Sequence, residues 1–178
     1  MNGYNGFKKN LITKKIKIGE FMTEQDIQAV LGTHYGCGCR AIHGSMNIIV
    51  PNVLMYTANG MYEADFITIT KSNYLIEIEI KISITDFRAD FTKKHFHDSP
   101  DVNSLYYAIP KDLYEKYKEE IEKSCEKVGA GIIIIKQNCC WGGIAKKPKL
   151  RKVKPLTISQ QLKYAKLGCL RWPNNWNK

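Results

Sequence analysis

Three charged residues alternate with isoleucines in residues 74–82 of the chain, YLIEIEIKI. Side chains two positions apart on a β-strand share a face, so we expect Glu77, Glu79 and Lys81 to lie together on one side of a sheet. Two carboxylates and an ammonium group on one face can hold a cation and orient a water molecule. The same alternation is also typical of a half-exposed strand whose charged face is simply solvated.

A carboxylate on the preceding strand-like segment favours the chemical interpretation. Asp65 precedes a turn at residues 71–73, so in a hairpin it can face Glu79 across the ladder, where paired side chains lie about 5 Å apart. Two carboxylates at that separation repel each other unless a cation lies between them, and hard divalent cations prefer oxygen ligands. We therefore predict that Asp65 and Glu79 bind Mg²⁺ or Mn²⁺, with the backbone carbonyl of Ile80 as an extra ligand.

Lys81 completes a predicted site for the metal-assisted hydrolysis of phosphodiester bonds. It follows Glu79 by two residues, so its ammonium group can help to activate the attacking water and can offset charge on the scissile phosphate. Two other acids compete for the role of ligand. Glu77 shares the face of Glu79, and Glu63 shares the face of Asp65.

Two acids on the next predicted helix have either a supporting or a passive role. Asp86 and Asp90 are one helical turn apart and therefore share a face. They are expected either to orient Lys81 or to approach DNA through bridging cations. The alternative is a solvated helix face beside Arg88.

The segments that must position these residues predict an α/β fold with a mixed sheet flanked by helices. A helix is expected over residues 23–31, where Thr23 and Asp26 resemble a helix cap. Three strands joined by tight turns then form an antiparallel meander, and β-α-β crossovers follow. Pro51 marks the first strand as irregular or an edge. The expected strands are residues 47–56, 61–70, 74–82, 104–110 and 129–136, the last of them central, and the expected later helices are residues 84–97, 111–128 and about 157–168.

The length of 178 residues suits one such domain with terminal extensions. Residues 1–20 are expected to form a basic arm, and residues 21–145 the α/β domain. Residues 146–178 are expected to form a basic loop and a C-terminal helix with a tail, packed on the same domain or extending it.

The formal net charge of +10 and the pI of about 9.3 favour a polyanionic partner. We predict DNA, with RNA as an open alternative. The run KKPKLRKVKP suits sequence-independent contact with phosphates, although a solvated loop explains it nearly as well. His95 and His97 diverge by roughly 200° on the predicted helix, so they cannot chelate one ion and are expected to be surface or phosphate-contacting residues. The candidate contacts are Lys93, Lys94, His97, Lys146, Lys147, Lys149, Arg151, Lys152 and Lys154.

Several classes of protein and site are disfavoured by the sequence. No window is apolar for long enough to span a bilayer, and the N-terminus lacks the apolar stretch of a secretory signal. The chain is therefore expected to be cytoplasmic, with reduced cysteines. A metal site at Cys37, Cys39, Cys139 and Cys140 is an alternative, but the spacing fits zinc poorly. No phosphate-binding loop or nucleophile motif is present.

A longer stretch, about residues 50–136, resembles the PD-(D/E)xK nuclease superfamily and, within it, the MmcB-type branch of DNA-repair-associated and phage-borne proteins. The motif acids are Asp65 and Glu79, followed by Lys81, and Ala64 stands where the motif's name has proline. The remaining similar features are S-x-x-D-F-x-x-D at 83–90, the strand YYAIP at 106–110 and a Gly-rich apolar strand at 129–135. The PNV segment at 51–53 and the C-terminal LTISQQLKYAKLGCLRW also look like phage members of this branch.

This resemblance implies a restriction-endonuclease-like fold, DNA as substrate, and Asp65, Glu79 and Lys81 as the catalytic triplet. It also makes Glu24 a candidate for the additional helix acid of some relatives. It leaves open whether the chain cleaves, nicks or only binds DNA.

The predicted function is therefore that of a metal-dependent DNA endonuclease, in DNA repair or recombination or in a phage or mobile-element process. Two alternatives stay open: a non-catalytic nucleic-acid-binding protein of the same fold, and an interaction subunit of a phage or mobile-element complex. A homodimer is compatible with the prediction, because many nucleases of this class need two active sites for a double-strand break.

Overall fold

A computed structural model describes residues 22–37, 47–58, 60–92, 97–136 and 140–171. The predicted basic arm lies outside these residues. The elements form a mixed sheet with helices on both faces, so the predicted α/β class is confirmed. The strands are β1 Ile48–Thr57, β2 Gly60–Ile69, β3 Leu75–Ile80, β4 Val102–Pro110, β5 Gly131–Lys136 and β6 Cys140–Lys146. The helices are α1 Glu24–Gly32, α2 Ile84–Asp90, α3 Lys111–Lys116, α4 Lys118–Val128 and α5 Ile158–Arg171, and a π-helical turn follows α1 at Thr33–Cys37.

The six strands lie side by side in chain order. Strands β1, β2 and β3 are antiparallel, which confirms the predicted meander with β1 at an edge. Strands β3, β4 and β5 are parallel, as the predicted crossovers require, and β6 returns antiparallel to β5. The carboxyl ends of β3, β4 and β5 therefore meet at one edge of the sheet.

The two faces of the sheet are covered by different helices. Helix α1 packs on one face, on a cluster that includes Phe66, Ile78 and Ile80. Helices α2, α4 and α5 pack on the other face, over clusters that include Tyr107 and Ile67. Since successive strand side chains point to opposite faces, the acids that alternate with the β3 isoleucines lie on the face away from α1.

Helix α1 is fixed at its start by the predicted cap. The Thr23 hydroxyl accepts a hydrogen bond from the Asp26 backbone N–H at 3.2 Å, and the Asp26 carboxylate accepts one from the Thr23 N–H at 2.9 Å. The buried stripe of this helix is Ile27, Val30 and Leu31. Cap and stripe together set the orientation of the first turn, which carries Glu24.

We expect Thr23→Ala to lower the free energy of unfolding by about 1 kcal/mol, because it removes the capping hydroxyl of α1. Chemical denaturation measures this change. Thr85→Ala, at an exposed position of α2, is a matched control and should change the free energy by less than about 0.5 kcal/mol. Equal effects of the two substitutions would show that the cap contributes nothing.

Two of the predicted helices are wrong in extent. The helix predicted over residues 84–97 ends at Asp90, and His97 has a positive φ of 40°, which no α-helix permits. The helix predicted over residues 111–128 is divided into α3 and α4 at Tyr117, whose φ and ψ of −123° and 28° are not helical. In both segments the apolar spacing continues past the point where the backbone turns.

Strand β6 was not predicted. It pairs with the outer side of β5, so β5 is an interior strand of the sheet, as predicted, but lies next to the edge strand and not at the centre. The two adjacent glycines of β6 interrupt the β-branched pattern by which strands are recognised in sequence. The structure explains one of them. A Cβ at Gly142 would lie 2.5 Å from the carbonyl oxygen of Ile134 on β5, so only glycine permits this close approach of the two strands.

Candidate functional site

Asp65 and Glu79 meet at the point where the β2–β3 ladder ends. The last paired residues are Phe66 and Ile78, and one step further places Asp65 opposite Glu79. The strands are joined there by side chains. The Ile80 N–H donates to Asp65 Oδ2 at 2.8 Å, and the Asp65 N–H donates to Glu79 Oε1 at 3.4 Å. The structure thus brings together the two acids that the sequence pairs across the hairpin.

Lys81 extends its ammonium group into the same cluster. Its Nζ is 3.4 Å from Glu79 Oε2, 3.2 Å from Asp90 Oδ1 and 3.8 Å from Asp86 Oδ2, and the side chain is 4% exposed. Burial by itself lowers the pKa of Lys81, but the charges of Glu79 and Asp90 outweigh it, so the pKa is raised. The group is therefore a buried ammonium ion at neutral pH.

Glu24 reaches the cluster from the first turn of α1. Burial and then the charge of Asp65 raise the pKa of Glu24, and Lys81 acts in the opposite sense, so both charges lie within electrostatic range of its carboxyl group. Gln28, one turn along, holds this arrangement. Its Nε2 lies 3.2 Å from Glu24 Oε1, 3.1 Å from the Asp65 carbonyl oxygen and 2.7 Å from Asn52 Oδ1. Sequence reasoning missed Gln28 and Asn52.

The other supporting candidates are placed differently. Glu63 is exposed on β2, and its charge acts on Glu24. Asp86 is 49% exposed at the rim of the cluster. Glu77 is completely buried, so the interpretation of a solvated charged face is wrong for β3. On α2 it is wrong for Asp90, which is also completely buried, but holds for Asp86 and Arg88, which are exposed.

His97 was predicted to be a surface or phosphate-contacting residue, and that prediction is wrong because its side chain is only 1% exposed. Its Nδ1 lies 2.6 Å from Glu77 Oε1, and its Nε2 lies 2.8 Å from Asp90 Oδ2. A carboxylate accepts hydrogen bonds, so both ring nitrogens donate and the ring is an imidazolium ion. Burial alone lowers the pKa of His97, but the hydrogen bonds to Asp90 and Glu77 raise it to about 10.

Two tyrosines complete this buried network. The Tyr62 hydroxyl donates to Glu77 Oε2 at 2.6 Å, and the Tyr107 hydroxyl donates to Asp90 Oδ2 at 2.7 Å. Burial, followed by the charge of the neighbouring acid, raises the pKa of each tyrosine, so both hydroxyls remain donors. A continuous chain of hydrogen bonds and ion pairs thus runs from Tyr62 through His97 and Asp90 to Lys81.

Comparisons with known proteins leave the activity of this chain open. No family model and no curated protein matches it. A solved structure similar to it is that of a Silicibacter pomeroyi protein of unknown function, with 15% identity and a TM-score of 0.47 over 73% of this chain and 77% of that chain. In the described part of the chain, no helix is long and apolar enough to cross a membrane.

The pair Asp65 and Glu79 has the electrostatic properties expected of ligands to a hard cation. Burial and then the charge of Asp65 raise the pKa of Glu79 to about 8, against the opposing effects of His97 and Lys81. A raised pKa means that the charged carboxylate is destabilised, and a divalent cation between the two groups would remove this destabilisation. The donors that Asp65 and Glu79 offer are carboxylate oxygens, the type that Mg²⁺ and Mn²⁺ prefer.

A second group of potential ligands is Glu77, Glu79 and His97, whose donor atoms lie within 4.8 Å of one another. Both ring nitrogens of His97 are bonded to carboxylates, and the Nδ1 to Oε1 distance of 2.6 Å leaves no space for an ion between His97 and Glu77. This group is therefore a hydrogen-bonded network in the structure.

The two raised pKa values predict that the metal-free protein loses stability as pH rises. Glu79 and His97 titrate near 4.5 and 6.5 when unperturbed, and near 8 and 10 in the fold. A raised pKa contributes stability below the unfolded value, and this contribution is lost as pH rises through the folded value. We expect the contribution of these two groups to the free energy of unfolding in EDTA to fall between pH 4.5 and 10, Glu79 losing its part up to about pH 8 and His97 its part from pH 6.5 upward. Denaturation at several pH values measures it, and a flat or rising profile would contradict the network.

The predicted phosphate contacts divide into three groups. Lys93 and Lys94 lie outside the described residues. Lys146 forms an ion pair with Glu126 at 3.1 Å, and Arg151 Nη1 donates to the His97 carbonyl oxygen at 2.7 Å, so both have partners inside the fold. The lysines that remain exposed are Lys147, Lys149, Lys152 and Lys154.

The backbone of the basic segment that carries these lysines crosses the amino ends of three strands. Its N–H groups donate to the carbonyl oxygens of Gly129, Asn103 and Asn73, which lie near the amino ends of β5, β4 and β3. Glu79 is six residues along the chain from Asn73, about 20 Å at the strand rise of 3.3 Å per residue. The backbone of this segment therefore lies toward the opposite end of the sheet from Glu79, although the side chain of Arg151 extends to the backbone of His97.

The alternative metal site formed by four cysteines lies only partly within the described residues. Cys140 is exposed on β6, whereas Cys39, Cys139 and the side chain of Cys37 lie outside the described residues. Cys125 is buried, and its burial raises its pKa to about 12, so it is an unreactive thiol of the core.

Proposed function

We propose that this protein is a divalent-metal-dependent nuclease that hydrolyses phosphodiester bonds in DNA, with a restriction-endonuclease-like fold. The observation that carries the proposal is the convergence of Asp65, Glu79 and Lys81 at the end of the β2–β3 ladder. Glu24, on α1, lies within electrostatic range of Asp65 and Lys81. The order of strands, with a meander followed by parallel crossovers, supports the proposal because it brings the carboxyl ends of β3, β4 and β5, and with them Glu79 and Lys81, to one edge of the sheet.

Each residue has a distinct part in the proposed reaction. A bound Mg²⁺ or Mn²⁺ would supply Lewis acidity and lower the pKa of water. Asp65 and Glu79 would hold the cation, together with the Ile80 carbonyl oxygen, and Glu24 would add negative charge from the opposite wall. Lys81 would offset the charge that develops on the phosphate and orient the attacking water. No side chain of the cluster acts as a nucleophile, so we expect no covalent intermediate.

DNA is proposed as the substrate because the chain carries a formal net charge of +10. The exposed lysines of the basic segment would contact phosphates some distance from the cleavage site, which affects affinity without specifying sequence. A role in DNA repair, recombination or a phage process belongs to this proposal, as does a homodimer for double-strand cleavage. We expect the protein to act inside the cell.

The proposal is tested by incubating end-labelled duplex and single-stranded DNA with the protein in Mg²⁺, Mn²⁺ or EDTA. We expect cleavage that needs the metal and stops in EDTA. The same samples are examined for binding at 50 and 200 mM salt. Salt-sensitive binding without cleavage would instead indicate a non-catalytic DNA-binding protein, and no binding at low salt would favour an interaction subunit.

A further inference from the structure

The buried carboxylate of Asp90 lies directly behind Lys81. Its Oδ1 is 3.2 Å from Lys81 Nζ. Its Oδ2 accepts hydrogen bonds from the Tyr107 hydroxyl at 2.7 Å and from His97 Nε2 at 2.8 Å. Asp90, Tyr107 and His97 are each at most 1% exposed. One oxygen of Asp90 thus faces the lysine, and the other is fixed by two donors from separate elements.

We infer that Asp90 is a positioning residue for Lys81, and that Tyr107 and His97 act on Lys81 through it. The inference rests on the proposed function, in which the Lys81 ammonium group faces a phosphate. A lysine side chain is flexible and loses considerable rotamer entropy when it is held in one conformation. A fixed, buried counterion provides the attraction that holds it.

Asp90 differs from the two other acids near Lys81. Glu79 is a proposed ligand, so a cation would compete with Lys81 for its oxygens. Asp86 is half-exposed and 3.8 Å away, where solvent weakens its attraction. A bound cation would also repel the ammonium group. Asp90 is the partner whose position is fixed independently of the proposed cation site, so it can keep Lys81 in place when the cation binds.

The position of Asp90 in its helix also points to a role beyond local stability. It is the last residue of α2, whose first-turn acid is Asp86. An acid in the last turn of a helix lies near free carbonyl groups with negative partial charge, which disfavours it. A neutral residue would suit this position better if the helix alone mattered. The ion pair with Lys81 and the two donors to Oδ2 offset that cost.

A double-mutant cycle on the cleavage rate tests whether Asp90 acts through Lys81. We expect Asp90→Asn to lower kcat by about 10–100-fold, with the KM for DNA changed by less than about twofold. In the Lys81→Met background the same change should alter the residual kcat by less than about twofold. Tyr107→Phe keeps the buried ring and should show the same pattern with a smaller effect, which covers the case in which Asp90→Asn does not fold.

Chemical labelling of Lys81 provides a measurement that does not depend on activity or metal. Reductive methylation, followed by peptide mass spectrometry, gives a labelling rate for each lysine in EDTA. We expect Asp90→Asn to accelerate the labelling of Lys81 by about tenfold, because a lysine released from a buried pair becomes accessible to the reagent. Glu120→Gln, which removes an exposed ion pair between α2 and α4, is the matched control and should leave the rate unchanged.

The outcomes separate this inference from the proposed function. If Asp90→Asn accelerates the labelling of Lys81 but the wild-type protein cleaves no DNA, the positioning role is supported and the nuclease proposal is refuted. Unchanged Lys81 labelling in a folded Asp90→Asn protein would overturn the positioning role. An equal loss of kcat with and without Lys81 would overturn it too.

Discussion

Replacing Lys81 with methionine is expected to lower kcat for metal-dependent DNA cleavage by a factor of about 10²–10⁴. Methionine keeps most of the volume of the side chain but removes the positive charge that faces Glu79. In the proposed reaction this charge acts chiefly in the transition state, so kcat should fall with little change in the KM for DNA. Single-turnover cleavage of labelled DNA in Mg²⁺ measures the effect.

The control for this substitution is Lys123→Met, which removes the same charge from an exposed position of α4. It alters the net charge equally, so any general loss of attraction to DNA appears in both variants. We expect Lys123→Met to retain kcat within about twofold. Equal rates for wild type and Lys81→Met would show that the assigned lysine has no part in the reaction.

Replacing His97 with leucine is expected to lower the free energy of unfolding by about 3–5 kcal/mol. The imidazolium ring neutralises two buried carboxylates, Glu77 and Asp90, and leucine leaves both without this partner. Urea denaturation of both proteins at neutral pH measures the effect.

His34→Leu is the matched control for the histidine substitution. His34 is exposed and stacks on Trp141 at a ring distance of 3.5 Å, so leucine there removes an aromatic contact without burying an unpaired charge. We expect a cost of about 1 kcal/mol. Comparable costs for the two histidines would mean that the His97 network contributes no more to stability than a surface stack.

The approach of Asp65 to Glu79 could be predicted because the rules that produce it are local. A tight turn at residues 71–73 sets the register of β2 against β3, and the period of two assigns the faces. Lys81 follows from the same period. The cap of α1 could be read from Thr23 and Asp26, so the start of the helix that carries Glu24 was also predictable.

The network behind Lys81 could not be predicted in this way, because it depends on contacts between distant segments. Apolar spacing extends the helix pattern to residue 97, and no local signal shows that the chain turns after Asp90 and directs His97 inward. One signal was present in the sequence. An acid such as Glu77, between isoleucines on a strand expected to be covered by helices, requires a buried partner, and a histidine is one of the few groups that can supply it.

The path of the basic segment could not be predicted from local sequence rules either. The sequence shows its charge but not its path, which is set by backbone hydrogen bonds to the amino ends of three strands. Arg151 appears in sequence as one more cation, yet its guanidinium group supports the backbone of His97. The structure therefore separates the exposed lysines of this segment from the basic residues that stabilise the fold.

Crystals soaked in Mn²⁺ show whether Asp65 and Glu79 share a divalent cation beside Lys81, the arrangement on which the proposed function rests. We expect an anomalous difference peak within about 2.0–2.4 Å of one carboxylate oxygen from each acid, and no such peak in crystals of Asp65→Asn. A wild-type crystal without manganese at this position, or with manganese bound equally well after Asp65→Asn, would contradict it.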